Sequence, residues 1–246
     1  MKRIPSAFLV LALALGLAAC NSEAPAASEA PVSSLASQEV SEPEEPQSSH
    51  SESVAESQTP AQSGSNILIA YFTMPEDVDT AGVDAVAGAS IVVDNGQVMG
   101  NVEYMAGVIQ QTVGGDLFQI ETVQQYPLDH DPLVDQAAQE QDQNARPELA
   151  THIKNLDQYD TILLGYPNWW GDMPQALYTF LEEYDFSGKT IIPFCPHGGS
   201  GFSQTESTIA QLQPGATVSE NGLAISRNSV AGSRDQVAAW AESLGL

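Results

Sequence analysis

Past residue 65 the chain alternates short apolar runs with stretches of helical periodicity. Asn66 to Phe72 (NILIAYF) is apolar almost throughout, the pattern of a strand buried on both faces. Similar runs occur at Leu117 to Val123, Thr161 to Tyr166, Thr190 to Phe194 and, more briefly, Leu223 to Ile225. Between them apolar positions recur at helical spacing. Asn101 stands as an N-cap, and Tyr104, Met105, Val108, Ile109 and Val113 share one face of a helix that Gly114-Gly115 ends. Pro132 to Leu156 is polar and broken by Pro147, which predicts one or two short helices. Asp172 is placed to cap a helix whose Ala176, Leu177, Phe180 and Leu181 face inward. Ser203 to Glu206 has the form of a capping box. A last helix begins at Ser233, with Val237, Ala238, Trp240, Ala241 and Leu244 apolar.

Five strands alternating with helices predict an α/β fold: a parallel sheet covered by helices on both faces. Two five-stranded orders are compatible with this. In the order 2-1-3-4-5 the crevice opens between the ends of strands 1 and 3. Loops starting at Thr73, Pro167 and Cys195 then meet at one rim. One stretch breaks the regular alternation. About 27 residues separate Thr73 from Gly100-Asn101, and within them Ile91-Val92-Val93 and Gln97-Val98-Met99 flank Asp94-Asn95-Gly96, a hairpin signature.

Residues 1–65 have a different character. Lys2 and Arg3 precede an apolar run, Ala7 to Ala19, too short to span a bilayer and typical of a secretory signal. It ends in Leu17-Ala18-Ala19-Cys20, which resembles a bacterial lipoprotein cleavage site, so residues 1–20 are read as the signal with its lipobox, cleaved before a Cys20 that receives lipid and becomes the first mature residue. Residues 21–65 carry eight glutamates and no lysine or arginine. Such a segment cannot bury enough apolar surface to offset its ordering entropy and is expected to be a disordered acidic tether. The expected organisation is therefore a signal peptide, a tether and one domain over 66–246 with an insert at about 74–100. That domain has 24 acidic and 5 basic side chains, a balance of −19. The charge excludes nucleic acid as a default partner and favours a protein that is basic at the contact.

Chemistry-bearing residues gather on the predicted rim. Pro167-Asn168-Trp169-Trp170-Gly171 links a buried strand to a helix. Two tryptophans at such a loop point to a flat aromatic ligand, with packing into the core as the alternative. Cys195-Pro196-His197-Gly198-Gly199-Ser200-Gly201 follows the fourth strand. Its glycines let backbone N–H groups approach a ligand edge with no Cβ in the way, or simply make a tight turn. Asp129, His130, Asp131 and Asp135 form a polar cluster without a matching distant ligand set, so no metal is expected. No nucleophile elbow is present.

The stretches Ile67 to Phe72, Gly165-Tyr166-Pro167 with Trp169-Trp170-Gly171, Leu181 to Lys189 and Phe194 to Gly201 resemble the flavodoxin family, in particular its bacterial lipoprotein branch. The resemblance covers essentially all of 66–246. It implies the order 2-1-3-4-5, noncovalent FMN and electron transfer. Carried onto this chain, it places Pro167, Asn168, Trp169, Trp170 and Gly171 against the flavin ring. Cys195, His197, Gly198, Gly199 and Ser200 lie at the ring's edge, and Thr73, Ser90, Gly100 and Asn101 around the phosphate. A protein anchored outside the cytoplasm by lipid on Cys20 would exchange electrons with a redox protein. Cytoplasmic NAD(P)H is out of reach there, which makes a quinone reductase or nitroreductase the weaker enzyme reading.

The chain departs from the family at the first loop. Family members follow strand 1 with a compact hydroxyl- and glycine-rich phosphate loop. Here Thr73 is followed by Met74-Pro75-Glu76-Asp77, a poor anion site by charge. The insert contains Asp84-Ala85-Val86-Ala87-Gly88-Ala89-Ser90, which resembles the acceptor motif of extracytoplasmic flavin transferases except at Ala87. That motif implies an FMN phosphoester on Ser90 as an alternative to noncovalent binding. A second function also stays open: a non-redox ligand-binding module that has lost FMN with its phosphate loop.

Overall fold

The computed structural model describes residues 66–83 and 85–246. The expected signal and tether, the expected lipidation position Cys20, and Asp84 lie outside the described residues.

Strand β1 (Ile67–Tyr71) occupies the interior of a parallel sheet, with β5 (Asp116–Gln119) on one side and β6 (Thr161–Gly165) on the other. Next to β6 lies β7 (Thr190–His197). The fifth position is shared by two short strands, β8 (Thr217–Val218) against the start of β7 and β9 (Leu223–Ser226) against its end. This is the order 2-1-3-4-5, with the last strand broken. The break has a local cause. The Ile191 carbonyl accepts from Ser219 N–H on the fifth-strand side, while the Phe194 carbonyl accepts from Tyr166 N–H on the β6 side. Odd-numbered residues of β7 therefore face the fifth strand, and Pro193, which has no N–H to offer, falls in the gap.

Alternate residues of each strand feed two cores. Leu68, Ala70, Phe72, Ile162 and Leu164 pack with Leu133 of α2 (His130–Asp142), with Ala176, Leu177, Phe180 and Leu181 of α3 (Gln175–Glu183), and with Ile209 of α4 (Thr205–Leu212). Ile67, Ile69, Tyr71, Leu163 and Phe194 pack with α1 (Asn101–Val113) and α5 (Arg234–Ser243) on the other face. Most of the inward positions expected for these helices are buried, while Val113, Ala238, Trp240 and Leu244 are partly buried at the edge of the second core. Each fully buried side chain of this size contributes about 1.5–3 kcal/mol.

The insert forms its own three-stranded antiparallel sheet: β2 (Ala85–Val86), β3 (Ile91–Asp94) and β4 (Gln97–Gly100). Asn95 and Gly96 both have positive φ, 50° and 81°, as a two-residue hairpin turn requires.

Three expected caps are replaced. Gly100, not Asn101, is the N-cap of α1, because the hairpin delivers the chain one residue earlier and Glu103 Oε2 accepts the Gly100 N–H. Asp172 lies before α3, whose N-cap is Pro174. Its carboxylate instead accepts from Met173 N–H and from the Tyr178 hydroxyl. Ser203 makes no capping box, since its hydroxyl accepts from Asn168 Nδ2 and the helix starts at Thr205.

Candidate functional site

The loops after β1, β6, β7 and β9 converge at the carboxyl ends of the parallel strands around a cavity of about 500 Å³. Pairing continues past the strand ends. Tyr166 N–H donates to Phe194 O and Asn168 N–H to Pro196 O, so the β6 and β7 loops leave the sheet together. Asn168 then joins them through its side chain. Its Nδ2 donates to Gly201 O and Ser203 Oγ, both at 3.0 Å, and its Oδ1 accepts from Gly171 N–H at 3.1 Å.

The tryptophans have different duties. Trp169 N–H donates to Asp172 O and Asp172 N–H to Trp169 O, which closes a tight turn over Trp170 and Gly171. Both central residues take positive φ, 54° and 80°. For a residue as bulky as Trp170 this costs about 1–2 kcal/mol, and such strain concentrates at functional sites. The turn holds the Trp170 indole at the cavity rim, 60% exposed, with Nε1–H donating to Val134 O at 3.2 Å. Trp169 is anchored instead. Its ring meets Phe72 and Tyr126 edge-on, each at 5.6 Å. One tryptophan thus belongs partly to the core, as the packing alternative required, while the other stays mostly exposed at the rim.

In the β7 loop, Gly199 N–H donates to His197 Nδ1 at 2.9 Å. Nδ1 is therefore the unprotonated nitrogen, and a neutral imidazole carries its proton on Nε2. His197 is the cavity's one side chain of this loop with such a proton. Cys195 is fully buried and does not reach the cavity, and burial pushes its thiol well above the ordinary range, so it stays protonated and inert. Gly199 also lies outside the lining; it orients His197 through its N–H.

At the opposite end, Thr73, Ser90, Asn101 and Val102 line the cavity, and Gly100 does not. Gly100 makes the junction tight: a Cβ there would stand 2.0 Å from Thr73 Oγ1. The first N–H groups of α1 are partly engaged, Gly100 N–H by Glu103 Oε2 and Asn101 N–H by Ser90 O. Those of Val102 and Glu103 have no intrahelical partner. Asn101 is 2% exposed, and its Oδ1 is the buried side-chain atom without a partner among the described residues. An amide oriented either way would leave a polar atom requiring a ligand. Glu76 places a carboxylate in the same region, with Oε1 2.9 Å from His130 Nδ1.

Several lining residues are not among those expected to meet the ligand, although Met74 and Glu76 stand in the stretch noted as a poor anion site and His130 in the polar cluster. Leu133, Val134 and Ala137 of α2 form an apolar wall, recoverable from their helical spacing in a stretch otherwise polar. Met74, Glu76 and His130 enter because the first loop folds back, with Glu76 N–H on Ala89 O and Asp77 N–H on Leu128 O. Arg227 follows β9 directly. Its only sequence signal was being one of few cations, placed at a strand's carboxyl end. Among the described residues no group of three or more His, Cys, Asp or Glu is placed to hold a metal ion.

A sequence model described as Flavodoxin matches residues 90–244. No curated protein matches the chain. Among solved structures, one from Bacteroides eggerthii, provisionally assigned as a flavoprotein, is 25% identical. The match covers 70% of this chain and 97% of that one, with a TM-score of 0.50. A Bacteroides uniformis protein with the same assignment is 28% identical over 69% and 97% of the two chains, with a TM-score of 0.49. A Lactobacillus acidophilus flavoprotein in complex with FMN is 20% identical over 68% and 96%, with a TM-score of 0.45.

Proposed function

The chain belongs to the flavodoxin family, and on that premise we propose that it binds FMN in the cavity at the strand ends and acts as a redox protein. The observation that carries this reading is the left-handed Trp170-Gly171 turn, which holds an exposed indole at the rim of the cavity. A bound planar ring would cover that indole and return the strain as stacking area.

FMN supplies one- and two-electron transfer when bound. The chain's own residues do the rest. Trp169 and Trp170 offer aromatic surface, and the α2 wall excludes water from the neighbouring side. Asn168 fixes the spacing of the two ring-facing loops. His197 Nε2–H is a proton donor available to a ring that gains electrons, and Gly198 and Ser200 leave room for that edge. Thr73, Ser90, Asn101 and the N–H groups of Val102 and Glu103 would meet the phosphate.

The setting belongs to the same proposal. Lipid on Cys20 would hold the domain at a bacterial membrane, outside the cytoplasm, and the excess of carboxylates would favour a basic redox partner. No helix among the described residues is long and apolar enough to cross a membrane.

Purified protein given FMN should show a flavin absorption band that dithionite bleaches and air restores. Protein that stays colourless after FMN addition and gel filtration would defeat this reading and favour a non-redox binding module. The attachment has a second reading. The Ser90 hydroxyl makes no hydrogen bond among the described residues and lines the cavity, so a phosphoester there is open. Intact mass after co-expression with a flavin transferase separates the two. The noncovalent form predicts no added mass, whereas an FMN-sized increment lost in Ser90→Ala would establish the bond.

A further inference from the structure

In a domain this acidic, a cation facing a cavity without a partner is a conspicuous arrangement. Arg146 pairs with Glu182 and Arg234 with Asp94. Lys189 donates to Tyr159 O. Arg227 makes no ion pair or hydrogen bond among the described residues, although it lines the cavity. It is also held in place. It follows β9, which pairs with the end of β7 through Leu223 to Ser226, and the helical turn it begins, Arg227–Gly232, buries Val230. Its guanidinium lies over the β7 loop: a Cβ on Gly198 would stand 3.9 Å from Arg227 Cζ and Nε.

The acidic balance of the domain and the close backbone of the glycine-rich loop would by themselves make added negative charge on a bound ring costly. Arg227 reverses the local sign. A guanidinium does not lose its proton in a protein, so it offers a permanent charge.

We propose that Arg227 is the cavity's charge partner for a ring that has gained electrons. This rests on the FMN reading above. When dithionite delivers two electrons to the oxidised ring and water one proton, the product carries one net negative charge in its polar edge. Arg227, beside the His197-Gly198 loop, stabilises that form over the neutral oxidised one. The phosphate is held at the other end, by the α1 start with Asn101. Arg227 therefore acts on reduction, not on capture of the oxidised cofactor.

The test measures binding of oxidised FMN, riboflavin and reduced FMN to wild type, Arg227→Ala and Arg227→Lys, with thermal melts as a control on folding. Arg227→Ala is expected to leave affinity for oxidised FMN, and the ratio of FMN to riboflavin affinity, within about threefold, and to weaken reduced FMN at least tenfold. For a two-electron couple tenfold is a drop of about 30 mV in midpoint potential. Arg227→Lys should recover part of it. A collapse of the FMN-to-riboflavin ratio with an unchanged midpoint would put Arg227 on the phosphate and overturn the inference. Equal loss of all three ligands, or no change in any, would overturn it as well. Failure of the FMN reading itself looks different: wild type would bind neither FMN nor riboflavin.

Discussion

At one end of the cavity, two loops leave adjacent strands in step and are locked by a single side chain, Asn168, through three hydrogen bonds. At the other, a first loop carrying Glu76 folds against a three-stranded insert, and the start of α1 is already engaged by Glu103 and by Ser90 O. The first end is built by the sheet itself. The second is built by added chain, and it keeps an unsatisfied amide, Asn101, where a ligand atom is wanted. On the proposed assignment of the flavin ring to the first end and its phosphate to the second, the difference teaches that two halves of one site can vary independently, because strand register fixes one and a loop insertion fixes the other.

Weakening the ring end should have the largest effect. Asn168→Ala removes the tie between loops and leaves Gly171 N–H and Gly201 O without their partner. FMN and riboflavin affinity should fall together by about 2 kcal/mol, roughly 30-fold. Fluorescence titration of both ligands measures it. Loss confined to FMN would show that the lock serves the phosphate end. Trp170→Ala should cost about 1.5 kcal/mol in both ligands through lost stacking, with bound-flavin fluorescence less quenched. An unchanged quench would move the ring away from Trp170.

The phosphate end should respond less and selectively. Asn101→Ala is expected to weaken FMN by about 1 kcal/mol, roughly fivefold, with riboflavin unchanged. The melting temperature of apoprotein should not fall, because an atom already without a partner is removed. A matching loss of riboflavin would contradict the division of the cavity into two ends.

The smallest effect concerns a brace behind the ring end. Arg146 pairs with Glu182 and stacks over Tyr178 at 4.8 Å, and the Tyr178 hydroxyl holds Asp172 of the tryptophan turn. The hydrogen bond from Arg146 pulls the Glu182 carboxyl below its ordinary 4.5. A lowered value stabilises the fold above the ordinary pKa, and the contribution is lost as pH falls through and below it. Both groups are partly exposed, so about 0.5 kcal/mol is at stake. Glu182→Gln should flatten the acid limb of the stability–pH curve by that amount. An unaltered limb would show that the pair is idle.

Much of this was legible in the sequence because it rests on local chemistry. The strand runs and inward helix faces follow from periodicity, and the hairpin from Asn95-Gly96. The tryptophan and histidine loops were found because strand ends in this topology are where ligands gather. Three caps were misassigned, since tertiary partners claimed Asp172 and Ser203 and the hairpin shifted the start of α1. Arg227 shows only as one of few cations, and the α2 wall only as an apolar face at helical spacing. That both line the cavity depends on where distant elements pack, which those local signals do not encode. Cys195 was placed on the loop at the ring's edge, but β7 runs three residues past Phe194 and keeps its side chain in the core.

The most direct measurement is a calorimetric titration of FMN and of riboflavin into the same apoprotein. The account predicts one site per chain for both, with FMN favoured only modestly because the phosphate end is weak, and with Trp170→Ala lowering both affinities together. Absence of binding by either ligand, or an FMN affinity insensitive to Trp170, would contradict it.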